Sequence, residues 1–383
     1  MIDRRFFLTA SAGLIASLGL PRMAFAVASG DRRFVFIIQR GAADGLAIVA
    51  PTGDPAFAGI RGDFARDSEG GARLDSHFTL HSALAETAKL YAAKEALFVH
   101  AVASPYRERS HFDGQNILET GGSRAYQRQD GWMNRLLGMV GPGERSALAL
   151  AATIPPALRG PYPASSYAPS ALPDASGGLM SRVAAMYQAD AQLHALWSQA
   201  VATREMAGEQ AASRRDNGAA TGALAARLLS GEKGARIAFI ETEGWDTHAN
   251  QRGALARQLR NLDALLAALK SGLGAEWAKT LVIVATEFGR TAAPNGTGGT
   301  DHGTASAAMM FGGGLAGGRV IADWPGLSRA ELYEGRDLRP TTALDALIAA
   351  AIAQHYGLET GRVMSTLFPD ARGAAVGESL VRG

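Results

Sequence analysis

The chain contains no cysteine. That excludes disulfides, thiolate nucleophiles, cysteine-held zinc and a lipoprotein anchor. Charge is also sparse: Asp, Glu, Lys and Arg make up 19% of 383 residues, and the formal net charge is only +2. The basic residues form no block, so nothing points to nucleic acid as a partner. Past the first few tens of residues, no apolar run is long enough to cross a bilayer. What is plentiful is apolar material, 47% of the chain, and glycine, 46 residues. This suffices for one large core with many close turns.

Residues 1–26 read as an export signal. Arg4-Arg5 precede Phe6-Phe7-Leu8, a mildly apolar stretch runs from 10 to 20, and Ala24-Phe25-Ala26 suits a small-residue cleavage site. The stretch resembles the twin-arginine (Tat) pattern. The resemblance implies export by the Tat translocase, a mature chain from about residue 27 in the periplasm or outside, and no stable membrane span after cleavage.

The mature sequence repeats one unit: apolar strand, polar loop, helix. Strands are expected at 34–39, 97–102, 147–152, 236–240, 281–285 and 307–311 from their short β-branched runs. Helices are expected at 80–93, from 110 through 118, at 132–140, 253–269 and 342–354. Residues 153–178, rich in Pro, Ser and Ala, read as a long loop. Residues 179–229 read as helix broken near Asn217-Gly218, so 153–230 forms an insertion. This pattern predicts one α/β domain, a three-layer sandwich with a mostly parallel central sheet and right-handed crossovers.

Acids and imidazoles gather after strand ends, where open α/β sheets bind ligands. Asp44 follows the first strand; an Asp-Gly turn explains it equally well. Arg107, Arg109, Ser110, His111 and Asp113 follow the second. Ser110 and Asp113 could cap the next helix, and the arginine forks suit an oxyanion. Asp246 and His248 are two residues apart, so an extended loop would aim both at one ion; Asp246 as a helix cap is the bland alternative. Glu287, Asp301 and His302 come from the stretch 280–314. Such oxygen and imidazole donors without sulfur favour zinc, calcium, magnesium or manganese. His81 and His194 read as structural, and His355 as an imidazolium at a helix end.

GAADG around Asp44, SHFDGQ at 110–115, GWDTHANQ at 244–251, TEFGRT at 286–291, GTDHG at 299–303 and WPGL at 324–327 resemble the exported bacterial family called domain of unknown function 1501. That family is similar to the alkaline phosphatase and sulfatase superfamily. The resemblance implies an alkaline phosphatase-like fold and a metal-dependent hydrolase of phosphate or sulfate esters, small molecules or polysaccharides. It implies Ser110, or less readily Ser104, as nucleophile; His111 and Arg107, from the same polar loop, are the candidate catalytic residues beside it. The implied metal ligands are Asp44, Asp246, His248, Glu287 and His302; Asp113 and Asp301 join them as candidates from their place past strand ends. Three features depart from the pattern. Phe288 stands where the hydrolases carry a histidine, the Asp246–His248 spacing is short, and the 104–107 stretch lacks the sulfatase spacing. A non-catalytic binding protein on the same fold is the alternative.

Overall fold

A computed structural model of the chain describes residues 31–169, 177–188, 190–207, 217–371 and 376–382. The export signal expected at 1–26 lies outside the described residues. The strands are β1 Arg33–Gln39, β2 Val49–Ala50, β3 Ala72–Arg73, β4 Thr79–Leu80, β5 Ala96–Ala103, β6 Ala147–Leu150, β7 Ala164–Ser166, β8 Ile237–Thr242, β9 Thr280–Ala285, β10 Ser306–Phe311, β11 Arg319–Ile321 and β12 Thr342–Ala343. Nine form the central sheet, in the order β11-β5-β10-β9-β1-β8-β6-β7 with β12 beside β5; β2, β4 and β3 make a small second sheet. All neighbours in the large sheet pair in parallel except β10, which runs against β5 and β9.

The three layers follow from β1, whose residues are all buried. Phe34, Phe36 and Ile38 face the helices Trp132–Leu137 and Leu344–Tyr356, while Val35 and Ile37 face the helices Gly218–Leu229 and Gln251–Leu273. Burial on both faces explains why the strand reads as an unbroken apolar run. The 23-residue helix Gln251–Leu273 buries Leu255, Leu259, Leu262, Leu266, Leu269 and Leu273, a single stripe at three- and four-residue spacing. Asp263, on the same helix, accepts from the N–H groups of Glu86 and Thr87 at 2.9 and 2.7 Å and so caps the helix Ala85–Ala92.

Several expectations are corrected. The helix expected at 80–93 begins at Ala85, because Thr79–Leu80 pair with Val49–Ala50 instead. The loop expected at 153–178 contributes β7, which extends the parallel sheet past β6. The sequence carries no sign of the direction of β10, and its reversal carries 301–303, just ahead of it, to the same edge as the ends of β1, β8 and β9. The Leu344–Tyr356 helix does not end in an imidazolium: His355 is buried, its Nε2 lies 3.0 Å from the Arg33 carbonyl, and burial pushes it down to about 3.

His100 is a second neutral histidine of the core, and it sets a pH dependence. Its Nε2–H donates to the Val49 carbonyl at 2.9 Å and its Nδ1 accepts from the Ala101 N–H at 2.8 Å. Burial pushes it down to about 4. The unfolded chain therefore binds a proton near pH 6.5 that the folded chain refuses. His100's contribution is complete above about pH 6.5 and is lost as pH falls towards 4, by about 3 kcal/mol in all. Urea unfolding at a series of pH values should show this loss, and His100→Gln should flatten the slope by about one proton. An unchanged slope in the variant would sink the assignment.

Candidate metal centre

The site forms where β1, β8, β9 and the start of β10 meet. Gly289 N–H donates to the Thr304 carbonyl and Gly303 N–H to the Gly289 carbonyl, so 287–291 and 301–304 lie side by side, with Arg290 opposite His302. A Cβ on Gly289 would sit 1.8 Å from the Ala305 carbonyl oxygen, so only glycine permits this approach. On the other side Trp245, 1% exposed, anchors the loop after β8 and donates from Nε1 to Thr242 Oγ1 at 3.1 Å. A Cβ at Gly41, whose φ is +116°, would meet the Asp246 nitrogen at 2.5 Å, so a glycine after β1 lets that loop close in.

Three imidazoles converge on Asp246. His302 Nε2 and His248 Nε2 lie 3.3 and 3.1 Å from Asp246 Oδ1 and 3.0 Å from each other. His111 Nε2 lies 3.5 Å from Asp246 Oδ2. His111, Asp246 and His302 each offer a ligand atom within 4.8 Å of the others. The second nitrogen of every ring is committed outward. His302 Nδ1–H donates to the Arg109 carbonyl at 2.9 Å, His248 Nδ1–H to Asp301 Oδ1 at 3.2 Å, and His111 Nδ1–H to Glu287 Oε1 at 2.8 Å. None of these acceptors has a hydrogen to give, so each Nδ1 carries a proton, and in the neutral ring each Nε2 presents a lone pair to the centre.

Lone pairs facing one another and a carboxylate about 3 Å away repel unless a proton or a metal ion stands among them. His111 Nε2 is buried and has no hydrogen-bond partner. The spacings among His248 Nε2, His302 Nε2 and Asp246 Oδ1, 3.0–3.3 Å, match the roughly 3.3 Å edge of a tetrahedral shell with bonds of about 2.0–2.1 Å, and His111 Nε2 stands on the Oδ2 side. The donor set therefore fits a divalent ion. Outward Nδ1–H groups held by a carboxylate or carbonyl are also the usual support of metal-bound histidines.

The electrostatics agree. Burial would raise the Asp246 carboxyl, but Arg290, whose Nη1 donates to Oδ1 at 2.7 Å, holds it below the usual range. Arg290 is itself fully buried and fixed by Thr300 through Nε at 3.1 Å and through Nη2 to the carbonyl. Glu287 is likewise ionised: burial pushes it up, and the bonds from His111 and Gln115 bring it below its ordinary value. The bond to Glu287 raises the His111 imidazole. Burial, then the neighbouring His111, lowers His302. Phe288, where the resemblance expects a histidine, lies 5.1 Å from the His111 ring at 23° and 5.3 Å from the His302 ring, a buried apolar wall behind both.

The other sequence candidates sit apart. Asp44 is buried, with Oδ2 accepting from Arg61 Nη2 and Gln251 Nε2, each at 2.6 Å, and Oδ1 from the Ala47 N–H. Glu287 and Asp301 touch the imidazoles from behind. Asp113, in the first turn of the helix His111–Thr120, accepts from the Tyr106 hydroxyl at 3.4 Å. Ser104 Oγ donates to the Glu287 carbonyl at 3.1 Å. Arg107 donates to the Ser104 and Tyr106 carbonyls of its own loop. Ser110 stands at the helix start but makes no capping bond through its side chain, and Asp246 lies four residues ahead of the cap at Asn250, so it caps nothing there. Arg40, Arg61, Gln251 and Arg290 do not stand out in the sequence; a buried arginine carries no local signal.

Solved structures match the chain at low identity and with TM-scores below 0.5. The C-terminal periplasmic domain of EptC from Escherichia coli is 10% identical over 93% of this chain and 94% of that one, with a TM-score of 0.45. A second structure of that domain, in complex with Zn, is 8% identical over 74% of each chain, at 0.39. The alkaline phosphatase of the Antarctic bacterium TAB5 is 10% identical over 89% and 99%, at 0.35. No curated protein matches the chain. Among the described residues no helix is long and apolar enough to cross a membrane. Residues 170–368, just over half the chain and including Asp246, His248, Glu287, Asp301 and His302, match the family described as protein of unknown function (DUF1501), and the chain belongs to that family.

Proposed function

We propose that this chain is an exported metal-dependent hydrolase of phosphate or sulfate esters. One observation carries the reading: three Nε2 lone pairs converge on the Asp246 carboxylate while every Nδ1–H is donated outward. His111, His248, His302 and Asp246 would hold the ion. Imidazoles favour zinc over calcium, magnesium and manganese, which prefer oxygen. Bound there, the ion would lower the pKa of a water or hydroxyl and balance charge on the ester oxygens.

The chain's own groups have separable tasks. Arg290 keeps Asp246 ionised, Glu287 and Asp301 orient two of the rings, and the Arg109 carbonyl orients the third. Arg109 reaches that position in the left-handed region, at φ +62°, a conformation kept only where the surroundings hold it. Ser110 adjoins His111 with its hydroxyl free of any capping bond, which makes it the side-chain nucleophile to test. The first 26 residues would serve export and then be removed.

The test is elemental analysis of protein exported through its own signal, beside His302→Ala. Wild-type protein is expected to carry about one equivalent of divalent metal and the variant none. Hydrolysis of 4-nitrophenyl phosphate or sulfate should fall about a thousandfold or more on metal loss, several kcal/mol of barrier. Folded wild-type protein without metal would sink the reading and favour the binding protein.

A further inference from the structure

A groove beside the metal centre has the chemistry of a sugar-binding subsite. It encloses about 820 Å³, including its open mouth, and is lined by Phe112, Asn116, Tyr126, Arg128, Gln129 and Arg159 among others. The enclosed part, about 330 Å³, falls at the low end of the roughly 300–1,000 Å³ range of small-molecule sites. Among the described residues, five large apolar side chains are exposed; Leu179, Met186 and Leu193 lie on the helices Gly177–Tyr187 and Ala191–Ala207, and the other two, Phe112 and Tyr126, both line this groove. Phe112 is 80% exposed and Tyr126 61%. Neither ring contributes to the core at that exposure.

The presentation of Tyr126 is built. Its backbone is left-handed, φ +59°, which a bulky residue adopts only when held. Its N–H donates to Asn116 Oδ1 at 2.7 Å, one helical turn past Phe112. The groove joins the metal centre through two connections. Phe112 directly follows His111. Gln115 donates to Glu287 Oε1 at 3.0 Å and accepts from Arg40 Nη1 at 2.9 Å, so one side chain touches both the support of His111 and the groove.

We propose that this groove binds the sugar rings of an anionic saccharide whose ester group reaches the metal centre, a proposal that rests on the hydrolase reading for its reacting end. A saccharide ring offers an apolar C–H face for Phe112 and Tyr126 and hydroxyls for Asn116, Gln129 and Arg159. A plain aryl group would cover the aromatic rings but leave those polar groups without partners, which disfavours it. Of the three arginines that line the groove, Arg40 is paired with Glu119 and Glu241 and Arg128 with Asp370, so the exposed Arg159 is the cation that faces a ligand. Its guanidinium suits a negative group on a ring next to the ester-bearing one.

The experiment is calorimetric titration of the metal-loaded mature protein with a chondroitin sulfate tetrasaccharide. Phe112→Ala and Tyr126→Ala should each weaken binding about tenfold. Leu179→Ala, a control elsewhere on the surface, should leave it unchanged. His302→Ala should retain binding within about twofold, since the groove's own side chains remain. Uncharged cellotetraose should bind at least about tenfold more weakly, and equal affinity would overturn the anionic assignment. No saccharide binding by a metal-replete wild-type protein, or binding indifferent to both aromatic substitutions, would overturn the subsite while the hydrolase reading stands. Aromatic-dependent binding by a folded protein without metal would support the subsite and sink the hydrolase reading.

Discussion

Asp44→Ala is expected to destabilise the fold by about 3–5 kcal/mol while leaving the metal content intact. Asp44 and Arg61 are 1% and 0% exposed, with 2.6 Å between Oδ2 and Nη2. Arg61 also donates to the Ala292 carbonyl at 3.2 Å and lies over the Phe64 ring, with 5.5 Å from its guanidinium carbon to the ring centroid. Removing the carboxylate strands a buried guanidinium and unpairs the Gln251 amide, and a stranded charge costs far more than the pair contributes. Combining Asp44→Ala with Arg61→Met should recover part of the loss, because the two sites are coupled. Urea midpoints measure stability and elemental analysis measures metal. Metal lost at unchanged stability would instead make Asp44 a ligand, as the superfamily resemblance implies.

The central strands and the edge on which the polar residues cluster are legible in the sequence because both are local. A β-branched run such as 281–285 needs burial on both faces, and the residues directly after it must lie at the strand end. Direction and edges are not local. Nothing in the apolar run of β10 states that it runs against its neighbours, and β7, β11 and β12 are short and only partly buried, so no periodicity marks them. At the site, the two-residue spacing of Asp246 and His248 predicts a shared target in an extended loop, and the structure brings both to one point. Sequence does not separate a metal ligand from the group that orients one, since each is a carboxylate or imidazole past a strand end. The polar loop places His111 beside the nucleophile and the resemblance places Glu287 among the ligands; the geometry turns His111 Nε2 inward and sets Glu287 behind it. The arginine pair suggests an oxyanion site, but Arg109 is held by Glu334 and Asp337, more than two hundred residues later, partners that no local pattern could announce.

Glu287→Gln separates these two roles. Glu287 is fully buried and Oε1 accepts from Gly41 N–H at 2.9 Å, His111 Nδ1 at 2.8 Å and Gln115 Nε2 at 3.0 Å, while Thr286 Oγ1 lies 2.9 Å from Oε2. Three donors on Oε1 leave it no lone pair for a metal, and Oε2 lies against the Thr286 hydroxyl, whose one hydrogen also has the Gln39 carbonyl 2.7 Å away. Its work is done through His111: an ionised acceptor fixes the ring's tautomer and makes Nε2 more basic. The glutamine keeps the shape and loses the charge. Metal affinity, measured by competition with a chelator of known strength, should fall about 10–100-fold, with full occupancy restored at higher metal concentration. His302→Ala should not recover at any such concentration, because it deletes a donor atom outright. Glu287→Gln behaving like His302→Ala would make Glu287 a ligand, and unchanged affinity would remove its hold on His111. Glu287→Ala would add a stability loss to the metal effect by leaving the Gly41 N–H and the Gln115 amide buried without an acceptor, so the glutamine is the variant that isolates the charge.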